Sequence, residues 1–285
     1  MSRGRGTVRR VLPTLAVAAM VGVVAACSAF PSRPAARSGA SSSLRPGPGP
    51  STTAAAPVYS AFKVHAWDGD RPVNTGSSWF FRLPPMSTPP QNRRSELWWA
   101  KDGRELQFSE GHLVSYSADV AASLGPAASR PDDWHVLWQL ISTTDGEWKG
   151  RAVTLDVSGG RLRLTGGTGN PAHDPNTGQN YHWVRDLAPF TNDRTYRIRL
   201  EVFLSRDPEY GWVSAWVDGQ QVVEHWRPSS GQGYRAGTFF EGSAPLNIRS
   251  GLYRGTEGHG PRPTTEQWAR HSNIDITARR PVAAE

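Results

Sequence analysis

Three short segments, far apart along the chain, carry residue types suited to acid–base and anion chemistry at strand spacing. If Arg94-Ser95-Glu96-Leu97-Trp98 is extended, alternate side chains point the same way, and Arg94, Glu96 and Trp98 share one face. The same alternation groups Asn247, Arg249, Gly251 and Tyr253 on one face of a second strand. Between them lies Trp138-Gln139-Leu140-Ile141, where Gln139 shares its face with Leu137 and Ile141, a less polar setting. Arginine and glutamine can neutralise and hydrogen-bond a carboxylate, and a tyrosine can carry a proton. Each also has an ordinary structural use: Arg94 as the ion-pair partner of Glu96, Tyr253 as a packed core or cleft-wall ring.

The elements that must position these residues read as strands almost throughout. Val153-Thr154-Leu155-Asp156-Val157, then Ser158-Gly159-Gly160, then Arg161-Leu162-Arg163-Leu164 predicts a hairpin with one apolar face. Tyr196, Ile198, Leu200 and Val202 form a further apolar set with period two. Gly211 to Val217 meets Asp218-Gly219, a type I′ turn signal, and returns through Gln221-Val222-Val223. Residues 272–279 predict a closing strand, and 264–271 a short helix. Many strands with turns at short spacing imply an all-β domain over 58–285, a concanavalin-like β-sandwich or jelly roll. Its twelve tryptophans are expected mostly in the core. Indoles left exposed on a sheet face would suit the apolar faces of sugar rings.

The N-terminus has a different character. Arg3, Arg5, Arg9 and Arg10 precede an apolar run of 16 residues, Val11 to Ala26. That is the layout of a secretory signal, and it is shorter than the ~20 residues of a spanning helix. Val24-Ala25-Ala26-Cys27 resembles a lipobox, so residues 1–26 are expected to be removed and Cys27 to be acylated. Cys27 is the one cysteine, which excludes an internal disulfide and a cysteine metal cluster. Residues 27–57 are rich in Ser, Ala, Pro and Gly and form a disordered linker that spans roughly 30 Å as a flexible coil. The expected location is the outer side of the cell membrane, on a lipid anchor.

The formal net charge of +7 comes from this leader. Residues 1–57 hold seven arginines and no acidic residue, which leaves 25 basic and 25 acidic residues for the domain. A neutral domain removes the main argument for nucleic-acid binding, and any anion site must be a local cluster.

The three segments resemble the jelly-roll polysaccharide lyases, the group of alginate lyases, glucuronan lyases and heparin lyase I. Arg94-Ser95-Glu96-Leu97 is similar to their R-(S/T)-E-L strand, and Trp138-Gln139-Leu140-Ile141 stands where they carry Q-I-H. Ile248-Arg249-Ser250-Gly251-Leu252-Tyr253 is similar to F-K-A-G-(V/I)-Y. They occur in the family's order over most of 59–279. The resemblance implies β-elimination on a uronate: a base removes the C5 proton, the 4-linked oxygen leaves, and cations stabilise the enolate-like intermediate. It makes Arg94 and Gln139 the carboxylate clamp and Tyr253 the acid, or acid and base. Arg249, Glu96, Trp98 and Asn247 would line the substrate, an acidic polysaccharide. Arg249 replaces the family's lysine with charge retained. Ile141 stands where the family places a catalytic histidine. His135 has the parity of Gln139 but lies too far along the strand, while His112, His173 and His182 are loop histidines able to reach a site. The missing histidine fits either a tyrosine-only enzyme or a lectin-like glycan-binding module, and a structural envelope protein is a third possibility. No cofactor is expected. Asp145, Glu147, Asp174 and Asn176 offer oxygen ligands for Ca²⁺, but ordinary Asx turns explain them better. No dinucleotide fingerprint, Walker loop, H-E-x-x-H or G-x-S-x-G occurs, and a monomer is expected.

Overall fold

The alternation that predicts strands produces them. A computed structural model of the protein describes residues 59–67, 69–85, 93–131, 133–144, 147–168, 183–228, 237–239, 245–256 and 263–280. Cys27 and the leader, His173, His182, Asp145, Asp174 and Asn176 lie outside the described residues, and only the backbone of Glu147 lies within them. In chain order the strands are β1 (Tyr59–Trp67), β2 (Val73–Asn74), β3 (Ser78–Leu83), β4 (Arg93–Lys101), β5 (Arg104–Glu105), β6 (Gln107–Phe108), β7 (Leu113–Ser123) and β8 (Asp133–Thr144). There follow β9 (Glu147–Ser158), β10 (Arg161–Thr168), β11 (Trp183–Pro189), β12 (Thr195–Phe203), β13 (Trp212–Val217), β14 (Gln220–Trp226), β15 (Leu246–Thr256) and β16 (Gln267–Arg279).

They pair into two antiparallel sheets. The larger runs β1-β4-β15-β8-β9-β10-β11, with β5 on β4 and β6 on β15; the smaller runs β14-β13-β12-β7-β16-β3-β2. Face to face they make the jelly-roll sandwich, with one core between them. The larger sheet contributes Leu97, Trp99, Leu140, Leu155, Ile248 and Leu252; the smaller contributes Tyr116, Ile198, Leu200, Val213 and Ala269. In β12 the expected set Tyr196, Ile198, Leu200 and Val202 is buried while Arg197 and Arg199 face outward. The Asp218-Gly219 turn has φ of 54° and 85°, the two positive angles a type I′ hairpin requires.

The short helix expected over 264–271 does not form: 264–266 are irregular and β16 starts at Gln267. Gln267, Ala269 and His271 are buried alternately, and β16 is hydrogen-bonded between β3 and β7. Pairing on both edges outweighs a weak local preference.

One glycine in the motif strand positions the site. A Cβ on Gly251 would collide with the Ser95 carbonyl and lie 2.7 Å from the Glu96 Cα. Only a glycine lets β15 approach β4 this closely, and the β15–β8 register slips between Ser250 and Tyr253.

Two buried histidines tie the core to pH. His271 meets the Tyr116 hydroxyl at 3.0 Å, and His135 meets the Gln267 amide at 3.1 Å. Burial pushes both down to about 3, with Arg254 adding to the effect at His135. The folded protein holds them neutral while the unfolded chain protonates near their ordinary value of ~6.5. Their contribution is therefore complete above about pH 6.5 and is lost as pH falls from there toward about 3. The slope is about 1.4 kcal/mol per pH unit for each histidine within that window. Urea midpoints should fall steadily from neutral pH to about pH 5; a flat profile there would contradict the burial of these rings as neutral species.

Candidate active site

The outer face of the larger sheet gathers the three motif segments. In the β15–β4 register Tyr253 is opposite Arg94, Gly251 opposite Glu96 and Arg249 opposite Trp98. On its other side Arg249 is opposite Gln139 of β8. Segments more than a hundred residues apart in the chain thus become cross-strand neighbours. Gln139 is more polar in setting than its parity suggested. The β8–β9 register slips between Val136 and Trp138, so Leu137 joins the inter-sheet core while Gln139 and Ile141 do not. The same slip turns His135 away, into the buried cluster with Gln267 and Arg254. His112 is occupied in its own turn by Ser109.

Glu96 organises the centre. It is 1% exposed, accepts a hydrogen bond from Gln139 Nε2 at 2.6 Å and stands 3.6 Å from Arg94 Nη1. The carboxylate forces the amide orientation, because the amide oxygen in that place would be repelled. Gln139 is itself fully buried, so it fixes Glu96 from within the sheet while its Oε1 has no partner among the described residues. Glu96, expected against substrate, is instead a buried support for Gln139 and Arg94. Asn247 is likewise 4% exposed and donates to Glu105 Oε1 at 2.8 Å.

Arg94 places its guanidinium 3.9 Å above the centre of the Tyr253 ring, and Tyr253 meets the edge of Trp134 at 4.9 Å. Arg249 lies over Trp98 at 4.0 Å, and Lys63 approaches the same indole at 4.8 Å. Burial draws Arg249 down to about 10, while Glu96 acts in the opposite sense. Even so it stays charged at neutral pH. Several buried polar atoms have no hydrogen-bond partner among the described residues: Gln139 Oε1, Trp98 Nε1, Thr154 Oγ1, and Nε of both Arg94 and Arg249. Such atoms are costly unless water or a polar ligand meets them. No cluster of metal-ligating side chains occurs among the described residues.

His65 was not anticipated. It lies on β1 opposite Glu96, and its Nδ1 is 3.2 Å from Arg94 Nη1. Since a guanidinium only donates, Nδ1 must be the lone-pair nitrogen and the ring proton sits on Nε2. Burial first, then Arg94, Arg249 and Lys63, lower His65 to about 4, so the ring is neutral. Its lone pair is engaged, which makes it a donor and a brace for Arg94 rather than a base in this arrangement. Lys63 and His65 alternate along β1, but only the pairing of β1 with β4 reveals their relevance.

The family model described as polysaccharide lyase matches residues 59–275, and the chain belongs to that family. Among solved structures it is similar to an endo-β-1,4-glucuronan lyase from the fungus Trichoderma reesei. The identity is 15% over 75% of this chain and 86% of that one, with a TM-score of 0.52. It is also similar to an alginate lyase from Zobellia galactanivorans, with 15% identity over 73% and 81% of the two chains and a TM-score of 0.46. The first likeness agrees with the sandwich found here. No protein with a curated description matches the sequence.

Proposed function

We propose that this protein is an exported, lipid-anchored lyase that cleaves a uronate-containing polysaccharide by β-elimination. The observation that carries the reading is Tyr253 held under the Arg94 guanidinium at 3.9 Å, with Gln139 and Arg249 at neighbouring register positions. A uronate carboxylate bound by Arg94, with the Gln139 amide beside it, loses much of its charge, and the C5 proton becomes acidic enough to remove. Tyr253, as phenolate, takes that proton. The C5–H electrons form the C4–C5 double bond, the C4–O4 bond breaks, and the proton passes from Tyr253 to the departing oxygen. Arg94 and Arg249 face the charge that develops on the carboxylate. His65 holds Arg94 in place. The anchor at Cys27 would keep the domain near the membrane on its linker.

Ile141 favours a second reading, a glycan-binding module that keeps the cleft without turnover. One experiment separates the two and tests the anchor. Fractionated cells producing the full chain or Cys27→Ser are assayed on a panel of uronate polymers for the ultraviolet absorbance of the new double bond. Activity should sediment with membranes and move to the soluble fraction in Cys27→Ser. Binding to a uronate polymer without any absorbance change would establish the module instead. Equal distribution of the two forms would remove the anchor.

A further inference from the structure

A second cation faces the reaction centre from the opposite side, and the mechanism above leaves it unused. Arg151 begins on β9 opposite Ile141, which offers it no polar partner. Its guanidinium lies 5.2 Å over the Trp134 ring, and Trp134 meets Tyr253 edge-on at 4.9 Å. Across the cleft the order is Arg94, Tyr253, Trp134, Arg151. Arg151 makes no hydrogen bond or ion pair with the described residues. The acids near enough to act on it, Asp156 and Glu96, are already committed. Asp156 accepts from Arg163 Nε at 2.6 Å and from Thr165 Oγ1 at 2.9 Å. Glu96 serves Gln139 and Arg94. Burial lowers Arg151, the expected cost of a guanidinium withdrawn from water without a counter-ion. The residue is only partly covered, so a ligand in the cleft can reach it.

We propose that Arg151 binds the carboxylate of a second sugar in the same chain, so that the cleft takes polymers with acid groups on consecutive sugars. This rests on the uronate-lyase reading and narrows its substrate. β9 stands two strand spacings beyond β15, about 10 Å, whereas β4 stands one spacing, about 5 Å, on the other side. A glycan crossing the strands meets Arg94 at the cleaved sugar and Arg151 farther along. Both cations meet a carboxylate whatever the number of sugars between them only if every sugar of the chain is charged. A polymer in which uronates alternate with neutral hexoses can satisfy Arg94 while leaving Arg151 facing a neutral ring.

The test is calorimetric binding in the full chain carrying Tyr253→Phe, so that the ligand survives. The probes are a 1,4-linked homopolyuronate hexamer and a hexamer alternating uronate with neutral hexose. Arg151→Gln should weaken binding of the homopolymer about 10- to 100-fold, the range for a lost charged hydrogen bond, and leave the alternating hexamer unchanged. Arg151→Lys should retain part of the preference. Equal weakening on both ligands, or on neither, would overturn the proposal. The parent protein supplies a check that needs no substitution at 151: it must bind the homopolymer more tightly, and equal affinity would also overturn the idea. Arg94→Ala should weaken both ligands. If it does so while Arg151→Gln is silent, the uronate reading stands and only this inference fails. If neither hexamer binds, both fall.

Discussion

Tyr253→Phe should lower the elimination rate by about 10²–10⁴-fold, the usual loss when general acid–base catalysis is removed. The phenyl ring retains the shape that packs beneath Arg94 at 3.9 Å and against Trp134 at 4.9 Å. Polysaccharide affinity should therefore change little, because one neutral hydroxyl contributes about 1 kcal/mol. His65, neutral with its Nδ1 lone pair occupied, cannot take over. A Tyr253→Phe protein that still produces the unsaturated product at the parent rate would refute the mechanism.

Arg94→Ala should be comparably severe, about 10²–10³-fold in kcat/KM on a uronate polymer, as for removal of one donor to a developing anion. Two further consequences distinguish it from the tyrosine change. The buried Glu96 loses the cation 3.6 Å away, so the melting temperature should drop as well. His65 loses its partner, and the ring is freed from the strongest of the charges that hold it near 4. Its titration, followed by NMR, should move upward. Arg94→Lys keeps charge but not the planar fork that spans His65, Glu96 and the ring of Tyr253, so it should restore stability more than activity. Undiminished kcat/KM in Arg94→Ala, with the protein folded, would rule out the clamp.

Much of the fold was legible in the sequence because its signals are local. Period-two alternation in 196–202 predicted one buried face, and Asp218-Gly219 predicted a hairpin from the backbone angles that only such residues tolerate. The stretch 264–271 was misleading for the complementary reason: its strand character comes from pairing with β3 and β7, which lie far away in sequence. The faces of Arg94, Trp98, Arg249 and Tyr253 were likewise readable from parity. Parity failed on β8, where a register slip puts Gln139 on the cleft face, apart from the core residue Leu137, and sends His135 inward.

The sequence by itself determined the residue types of the clamp, the strand faces of two motifs, and the absence of a histidine at 141. It also determined that any cationic site must be local in a domain of balanced charge. Only the tertiary structure decided which cations meet. His65 enters because β1 pairs with β4, and Glu96 becomes a buried support because Gln139 and Arg94 converge on it. Arg151 faces Tyr253 because its long side chain reaches across the cleft from a strand two spacings away. Alternation specifies direction within one strand, whereas register, bulges and side-chain reach depend on contacts between strands and are set only when the sheets close on their common core.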